Sequence, residues 1–129
     1  MAEKDVVRTE AAPAPFQGAP YNQAITVGDL VFVAGQLGVA PGGSGMVGDG
    51  ITEQTEQVME NLAAILAASG SGLANLVKTT VFLTDLGDFA AMNEVYARHV
   101  GERPPARSTV QVAALPSGAR VEIEAIAHR

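Results

Sequence analysis

The sequence contains no cysteine and no tryptophan, and its only histidines are His99 and His128. Without cysteine the chain has neither a disulfide framework nor a thiolate nucleophile. The two histidines stand far apart, and neither has a cysteine or histidine neighbour at the spacing that metal sites use. We therefore expect no metal site, and we interpret both histidines as surface residues.

Basic residues are also scarce: 8 Lys and Arg stand against 14 Asp and Glu, which gives a net charge of −6. No basic stripe is present that could release counterions from phosphates, so a nucleic-acid partner is not expected. No apolar run approaches the length of a membrane span, and residues 1–5 are charged, unlike the start of a signal peptide. These features predict a cytoplasmic protein without a membrane partner.

Aromatic residues make up only 5% of the chain, whereas hydrophobic residues make up 47%. The core must therefore be filled by Val, Leu, Ile and Ala, which suits a closely packed sheet with helices against it. A length of 129 residues predicts a single domain that covers residues 1–129.

The hydrophobic pattern predicts two amphipathic helices. The first has Thr52 as its N-cap and ends at Gly70; the second has Asp88 as its N-cap and ends at Gly101. Their apolar stripes follow helical spacing, with Val58, Leu62, Ile65 and Leu66 in the first and Phe89, Met92, Tyr96 and Val100 in the second.

Short stretches that alternate in polarity, or that are rich in β-branched residues, predict strands at residues 6–9, 24–27, 30–34, 76–84, 108–112 and 121–127. Gly28-Asp29 is the expected turn of a hairpin, and residues 116–118 carry the turn that joins the last two strands. The order of elements indicates an α+β domain with a mostly antiparallel sheet and two helices on one face.

Three charged residues near the C-terminal strands are candidates for chemistry. Arg107 opens one strand, and a guanidinium can grip a carboxylate through two parallel hydrogen bonds. An arginine at a strand start is more often a solvated charge or an ion-pair partner. Glu122 and Glu124 lie on one face of the last strand, where such a pair is most often the wet face of a sheet. From residue type alone both interpretations stay open.

Several motifs occur together along nearly the whole chain, in a characteristic order: Gly18-Ala19-Pro20-Tyr21-Asn22-Gln23-Ala24, Val33-Ala34-Gly35-Gln36, Asn61-Leu62, Val77-Lys78-Thr79-Thr80-Val81-Phe82, Asn93-Glu94-Val95-Tyr96, Ala106-Arg107-Ser108-Thr109-Val110, Leu115-Pro116 and Glu122-Ile123-Glu124-Ala125-Ile126-Ala127. With them the chain resembles the RidA/YjgF family of reactive-intermediate (enamine/imine) deaminases, also labelled endoribonuclease L-PSP.

The resemblance implies a chorismate-mutase-like (RidA-like) fold and a homotrimer with ligand sites between subunits. A sheet with helices on only one face leaves the other face to be buried, which suits self-association. The implied reaction is hydrolysis of imines such as 2-iminopropanoate and 2-iminobutanoate, derived from enamines such as 2-aminoacrylate, to 2-oxo acids and ammonia. No metal or organic cofactor is implied.

The resemblance also implies roles for single residues. Arg107 matches the arginine that binds the substrate carboxylate, and Glu122 matches the glutamate that orients or activates water at the imine carbon. Tyr21 matches a tyrosine of the site, and Gly35 matches backbone that lines the pocket.

Four further residues stand at positions that the resemblance also covers. Thr109 is expected either to hydrogen-bond the substrate nitrogen or a water, or to be an ordinary strand threonine. Ala34 lines the pocket where many members have serine, so a hydroxyl is missing there. Asn93 and Lys78 we interpret as structural.

Two other functions remain open at this point. A trimer that binds a small carboxylate without turning it over would use the Arg107 pocket equally well. A ribonuclease or translation inhibitor is the third possibility, against which the acidic balance and the lack of paired catalytic histidines weigh.

Overall fold

The computed structural model describes residues 3–43 and 45–129. Its strands are β1 Lys4–Val7, β2 Ala24–Val27, β3 Leu30–Gln36, β4 Leu76–Leu83, β5 Ala106–Gln111 and β6 Val121–His128. Its two long helices are α1 Ile51–Ala68 and α2 Phe89–Val100. The predicted order of elements is confirmed. The first strand lies two residues earlier than expected, and β3 runs two residues further.

The strands form one sheet in the order β1-β2-β3-β6-β4-β5. All neighbouring strands are antiparallel except β4 and β5, which are parallel and are connected through α2. The expectation of a mostly antiparallel α+β sheet is therefore confirmed. The last two strands, which residues 116–118 join along the chain, are not neighbours in the sheet, because β4 lies between β5 and β6. A parallel pair needs a crossover, and the α2 crossover puts β5 outside β4 at the sheet edge.

The two faces of the sheet differ in composition. Along β6 the residues Val121, Ile123, Ala125 and Ala127 are buried, and they share the core with the apolar stripe of α1. Both helices cover this inner face, as the alternation in β6 predicts. The opposite face, called the open face below, exposes large apolar side chains from β1, β3 and β5: Val6, Leu30, Phe32 and Val110.

The first helix begins two residues earlier than predicted. Gly50, not Thr52, is the N-cap, and the Glu53 carboxylate accepts the Gly50 N–H at 2.8 Å. That bond satisfies one of the amide groups that a helix start leaves unpaired, so a threonine cap is not needed. The predicted end is confirmed: Gly70 has a φ of +76°, and the Ser71 N–H reaches back to the Leu66 carbonyl at 2.8 Å.

The second helix has Asp88 at its N-cap, as predicted, but the Asp88 side chain does not cap it. The carboxylate instead pairs with Arg120, with 3.3 Å between Oδ2 and Nε. Met92, Tyr96 and Val100 lie in the core, whereas Phe89 is 42% exposed and not part of it. In the part of the chain described, no helix is both long and apolar enough to cross a membrane.

Candidate active site

Arg107 lies on the helix-covered face of the sheet. In the register of β4 and β5 it stands opposite Thr79. The Thr79 hydroxyl is hydrogen-bonded to the Tyr96 hydroxyl of α2 at 2.6 Å, so the Thr79 side chain points towards that helix. Opposite residues of neighbouring strands share a face, and Arg107 therefore also points towards α2.

The Arg107 guanidinium is surrounded by aromatic and sulfur groups. Its central carbon lies 4.9 Å from the centroid of the Tyr96 ring and 5.5 Å from that of Phe89. The Met92 sulfur is 4.0 Å from Nη1. Among residues 3–43 and 45–129, no carboxylate oxygen lies within 4.0 Å of the guanidinium. Its positive charge is therefore not neutralised by an acidic group among these residues.

Burial raises the pKa of the Tyr96 phenol above its usual range, while the hydrogen bond with Thr79 and the charge of Arg107 lower it in part. At neutral pH Tyr96 is therefore uncharged. It offers Arg107 the electron-rich face of a neutral ring and not a phenolate counter-ion.

Two buried oxygen atoms near Arg107 have no hydrogen-bond partner among the described residues: Oγ1 of Thr109 and Oδ1 of Asn93. Thr109 stands opposite the fully buried Val81 and thus shares the face of Arg107. Asn93 lies on α2 one turn from both Phe89 and Tyr96, on the same helical stripe. Buried polar atoms in proteins are normally paired, so these two are candidates to contact a ligand.

Glu122 lies on the opposite face of the sheet. Its partner in β4 is Phe82, which alternates with the buried Val81, so both Phe82 and Glu122 point to the open face. The Glu122 carboxylate packs directly against Gly35: a Cβ added to Gly35 would lie 2.2 Å from Glu122 Oε2. Only glycine leaves room for the carboxylate in this position.

Burial raises the pKa of the Glu122 carboxyl above its usual range, and the negative charge of Glu124 raises it further. A carboxyl group with a raised pKa is a stronger base once ionised and can exchange protons nearer to neutral pH. This property suits a group that moves a proton to or from a reacting water.

Glu122 and Gly35 line a cleft of about 880 Å³, together with the predicted site residues Tyr21 and Ala34. The Tyr21 hydroxyl oxygen accepts the Phe16 N–H at 2.6 Å, which fixes the ring while leaving its proton free to donate. Ser117, from the turn before β6, lines the same cleft.

The predicted site residues thus form two groups. Tyr21, Ala34, Gly35 and Glu122 meet in the cleft on the open face, whereas Arg107 and Thr109 lie under α2 on the other face. A single chain does not bring Arg107 and Glu122 together. The helical spacing predicts a core stripe that includes Phe89 and Tyr96, and it does not predict the contact of their rings with Arg107. Their spacing of seven residues along α2 was the available signal.

Residues 9–129 match the family model described as Endoribonuclease L-PSP. A protein named Reactive Intermediate Deaminase A, chloroplastic, from Arabidopsis thaliana is 50% identical over 97% of this chain and 66% of its own length. A 2-iminobutanoate/2-iminopropanoate deaminase from Mus musculus is 44% identical over 96% of this chain and 90% of its own.

Solved structures agree with the sequence comparison. The crystal structure of RidA from an Antarctic Psychrobacter species matches with a TM-score of 0.92 and 46% identity, over 97% of this chain and 99% of that one. The fold described above is therefore that of the RidA/YjgF structures, and the resemblance seen in the motifs is confirmed. The chain belongs to the RidA/YjgF family, whose family model bears the description Endoribonuclease L-PSP.

Proposed function

We propose that the protein is an enamine/imine deaminase that hydrolyses 2-iminopropanoate and 2-iminobutanoate. One water adds across the C=N bond to give a carbinolamine, and this intermediate collapses to a 2-oxo acid and one ammonia. The chemistry needs a group that holds the substrate carboxylate and a group that moves protons between water and nitrogen.

Arg107 is the group that holds the carboxylate. Its guanidinium has no acidic partner within the described residues, so its N–H donors are available to an incoming anion. A guanidinium matches a carboxylate through two parallel hydrogen bonds, which fixes the orientation of the adjoining imine carbon. This uncompensated charge, in a chain whose net charge is −6, is the observation that carries the proposal.

Glu122 is the group that moves protons. As a carboxylate it accepts a proton from the attacking water, and as a carboxylic acid it returns that proton to the departing nitrogen. The raised pKa of Glu122 favours both steps, because the energy gap between the two protonation states narrows near neutral pH. The missing side chain of Gly35 leaves the space in the cleft that the Glu122 carboxylate occupies.

The remaining predicted residues complete the pocket. The Tyr21 hydroxyl, held by the Phe16 N–H, donates to the substrate or to water. Thr109 Oγ1 and Asn93 Oδ1 have no partner within the described residues and are available to the substrate nitrogen. Ala34 provides an apolar wall in place of a serine hydroxyl.

The reaction requires more than one copy of the chain, because Arg107 and Glu122 point to opposite faces of the sheet. We propose a homotrimer in which Arg107 of one copy faces Glu122 of the next. The exposed apolar residues of the open face, Phe32 and Leu30 among them, favour such self-association. Cyclic closure of one repeated contact generates equivalent sites between neighbouring copies.

The test is turnover of an imine made in situ. An amino-acid oxidase with catalase generates 2-iminopropanoate from alanine, and semicarbazide traps whatever imine is not hydrolysed. We expect the protein to lower the semicarbazone yield in proportion to its concentration. The Arg107→Ala variant should be inactive and should give the same yield as a reaction without protein. Equal yields with and without the protein would contradict the proposal. If the protein then still bound 2-oxobutanoate, a carboxylate-binding trimer would be the better interpretation.

A further inference from the structure

We propose that Phe89 and Tyr96 are positioning residues whose rings, by contact with the Arg107 guanidinium, hold it in the orientation that binds a carboxylate. The inference rests on the proposed function only for the role of Arg107. The two residues lie seven positions apart on α2, which places them two helical turns apart on one side of the helix.

The geometry is that of two cation–π contacts on one guanidinium. The ring centroids lie 4.9 Å and 5.5 Å from its central carbon, within the range of about 6 Å over which a ring face attracts a cation. Apart from the Met92 sulfur, 4.0 Å from Nη1, the N–H donors of Arg107 have no hydrogen-bond partner among the described residues, and the two rings occupy none of them with an oxygen acceptor. A carboxylate partner would stabilise the same charge but would occupy the donors that a substrate needs.

The support on the Tyr96 side is itself fixed. Tyr96 is only 5% exposed, and its hydroxyl is hydrogen-bonded to Thr79 at 2.6 Å. Thr79 stands directly opposite Arg107 in the sheet, so strand β4 determines the position of both the ring and the strand that carries the arginine. An arginine side chain loses much rotamer freedom when it is held, and this pre-arranged support lowers the loss that remains for ligand binding.

The contact with Arg107 also explains why the aromatic side chain of Phe89 is exposed. Phe89 is 42% exposed and adds little to the core, although it begins a helix whose other large apolar residues are buried. Contact with Arg107 gives this ring a function other than packing. It also makes Phe89 the better position for a test, since a change there carries little risk to the fold.

The first measurement asks whether the platform of Phe89 and Tyr96 exists, and it needs no ligand. In ¹⁵N-labelled protein the Arg107 Nε–H resonance, assigned from its loss in Arg107→Lys, should show an upfield ring-current shift. Phe89→Leu keeps an apolar side chain but removes one ring, so part of the shift should disappear. Phe89→Tyr retains a ring and should preserve the shift. An Arg107 resonance that is unshifted in the parent, or unchanged in Phe89→Leu, would overturn the proposal.

The second measurement asks whether the platform matters for carboxylate binding. We expect calorimetry with 2-oxobutanoate to give a Kd about three- to thirty-fold weaker for Phe89→Leu, with near-parental affinity for Phe89→Tyr. Tyr96→Phe keeps the ring and loses only the Thr79 bond, so its loss of affinity should be smaller and should match that of Thr79→Val. A purely structural role would instead lower the melting temperature of Phe89→Leu without changing Kd, and that outcome would overturn the proposal.

The outcomes for the two proposals are distinguishable. Suppose that neither the parent nor any variant hydrolyses 2-iminopropanoate, while Phe89→Leu still weakens 2-oxobutanoate binding. The deaminase proposal then fails and the positioning role stands. If turnover is present, Phe89→Leu should raise KM by the same factor as Kd and leave kcat within about two-fold of the parent, because the platform acts on binding.

Discussion

The two faces of the sheet give their charged residues, Arg107 and Glu122, opposite environments. Under α2, Arg107 keeps its charge beside neutral aromatic rings, with no acid near it in the described part of the chain. On the open face, burial raises the pKa of the Glu122 carboxyl and the charge of Glu124 raises it further, so the charged form of Glu122 is disfavoured. The two faces therefore differ in charge: Arg107 keeps a permanent positive charge without an acidic partner among the described residues, whereas the surroundings of Glu122 favour its protonated form.

The largest effect is expected on the Arg107 side. Arg107→Ala should reduce kcat/KM by roughly two to four orders of magnitude, because two charge-assisted hydrogen bonds of about 1.5–3 kcal/mol each are lost. Arg107→Lys should rescue little, since an ammonium lacks the fork of donors. Steady-state kinetics with the imine made in situ measures both. A near-parental rate for Arg107→Ala would show that the anion binds elsewhere.

On the Glu122 side, Glu122→Gln should lower kcat by roughly two to three orders of magnitude and change KM less, because an amide cannot accept the proton of water.

The pH dependence of the rate tests the role of Glu122 more closely. With the carboxylate as base, the parent rate should rise as pH passes upwards through the raised pKa of Glu122. Glu124→Gln removes the neighbouring charge and should move this rise to lower pH. No movement would contradict the coupling of the two carboxyl groups.

The raised pKa of Glu122 also predicts that the folded state becomes less stable as pH rises, whereas the reaction rate increases. The folded state holds the Glu122 proton more tightly than the unfolded state, so this contribution to stability is present at low pH and is lost as pH rises through the folded pKa. Glu122→Gln cannot suffer that loss. Its melting temperature relative to the parent should therefore be higher at about pH 8 than at about pH 4. Thermal melts at the two pH values give the comparison.

Gly35→Ala is expected to have an intermediate effect. The new Cβ would lie 2.2 Å from Glu122 Oε2, so the carboxylate must move away from its place in the cleft. We expect kcat to fall about ten- to hundred-fold, since displacing a catalytic group by about 1 Å has effects of this size. Gly72→Ala, where a Cβ would meet nothing within 4 Å, is the matched control and should keep parental activity.

The smallest effect is expected for Thr109→Val. The Thr109 Oγ1 is buried without a partner among the described residues, so replacing it by a methyl group should leave the free energy of unfolding unchanged or slightly increased. If the hydroxyl contacts the substrate nitrogen, kcat/KM should fall about ten-fold. Parental kinetics together with unchanged stability would make Thr109 an ordinary strand residue.

The sequence alone predicted most of the fold, because hydrophobic periodicity and the residues that begin or end helices and strands are local properties of the chain. The alternation in β6 and the glycine after α1 sufficed for their elements. The position of β5 was not predictable in this way. Residues 116–118 have the composition of a turn between neighbouring strands, yet turn chemistry does not reveal that β4 inserts between β5 and β6. The start of α1 was predicted two residues late. Its N-cap, Gly50, has no side chain, and the Glu53 carboxylate inside the helix accepts the Gly50 N–H instead.

The site was predictable only as a set of residues. The family resemblance implied site roles for four residues, but neither motif nor spacing predicted which face of the sheet each one occupies: Arg107, Glu122, Tyr21 and Gly35. That information comes from the register of β4 with both of its neighbours. The role of Phe89 was hidden for a different reason: its helical spacing matches a core stripe, and only the tertiary structure places its ring over a guanidinium.

The central claim is that Arg107 and Glu122 act together from different copies of the chain. The most direct test mixes two inactive variants, Arg107→Ala and Glu122→Gln, by joint unfolding and refolding at equal concentration. In each mixed cyclic trimer one of three sites should receive an intact Arg107 from one copy and an intact Glu122 from the next, so random mixing should restore about a quarter of the parental activity. Mixed trimers verified by native mass spectrometry that remain as inactive as either variant alone would contradict the account.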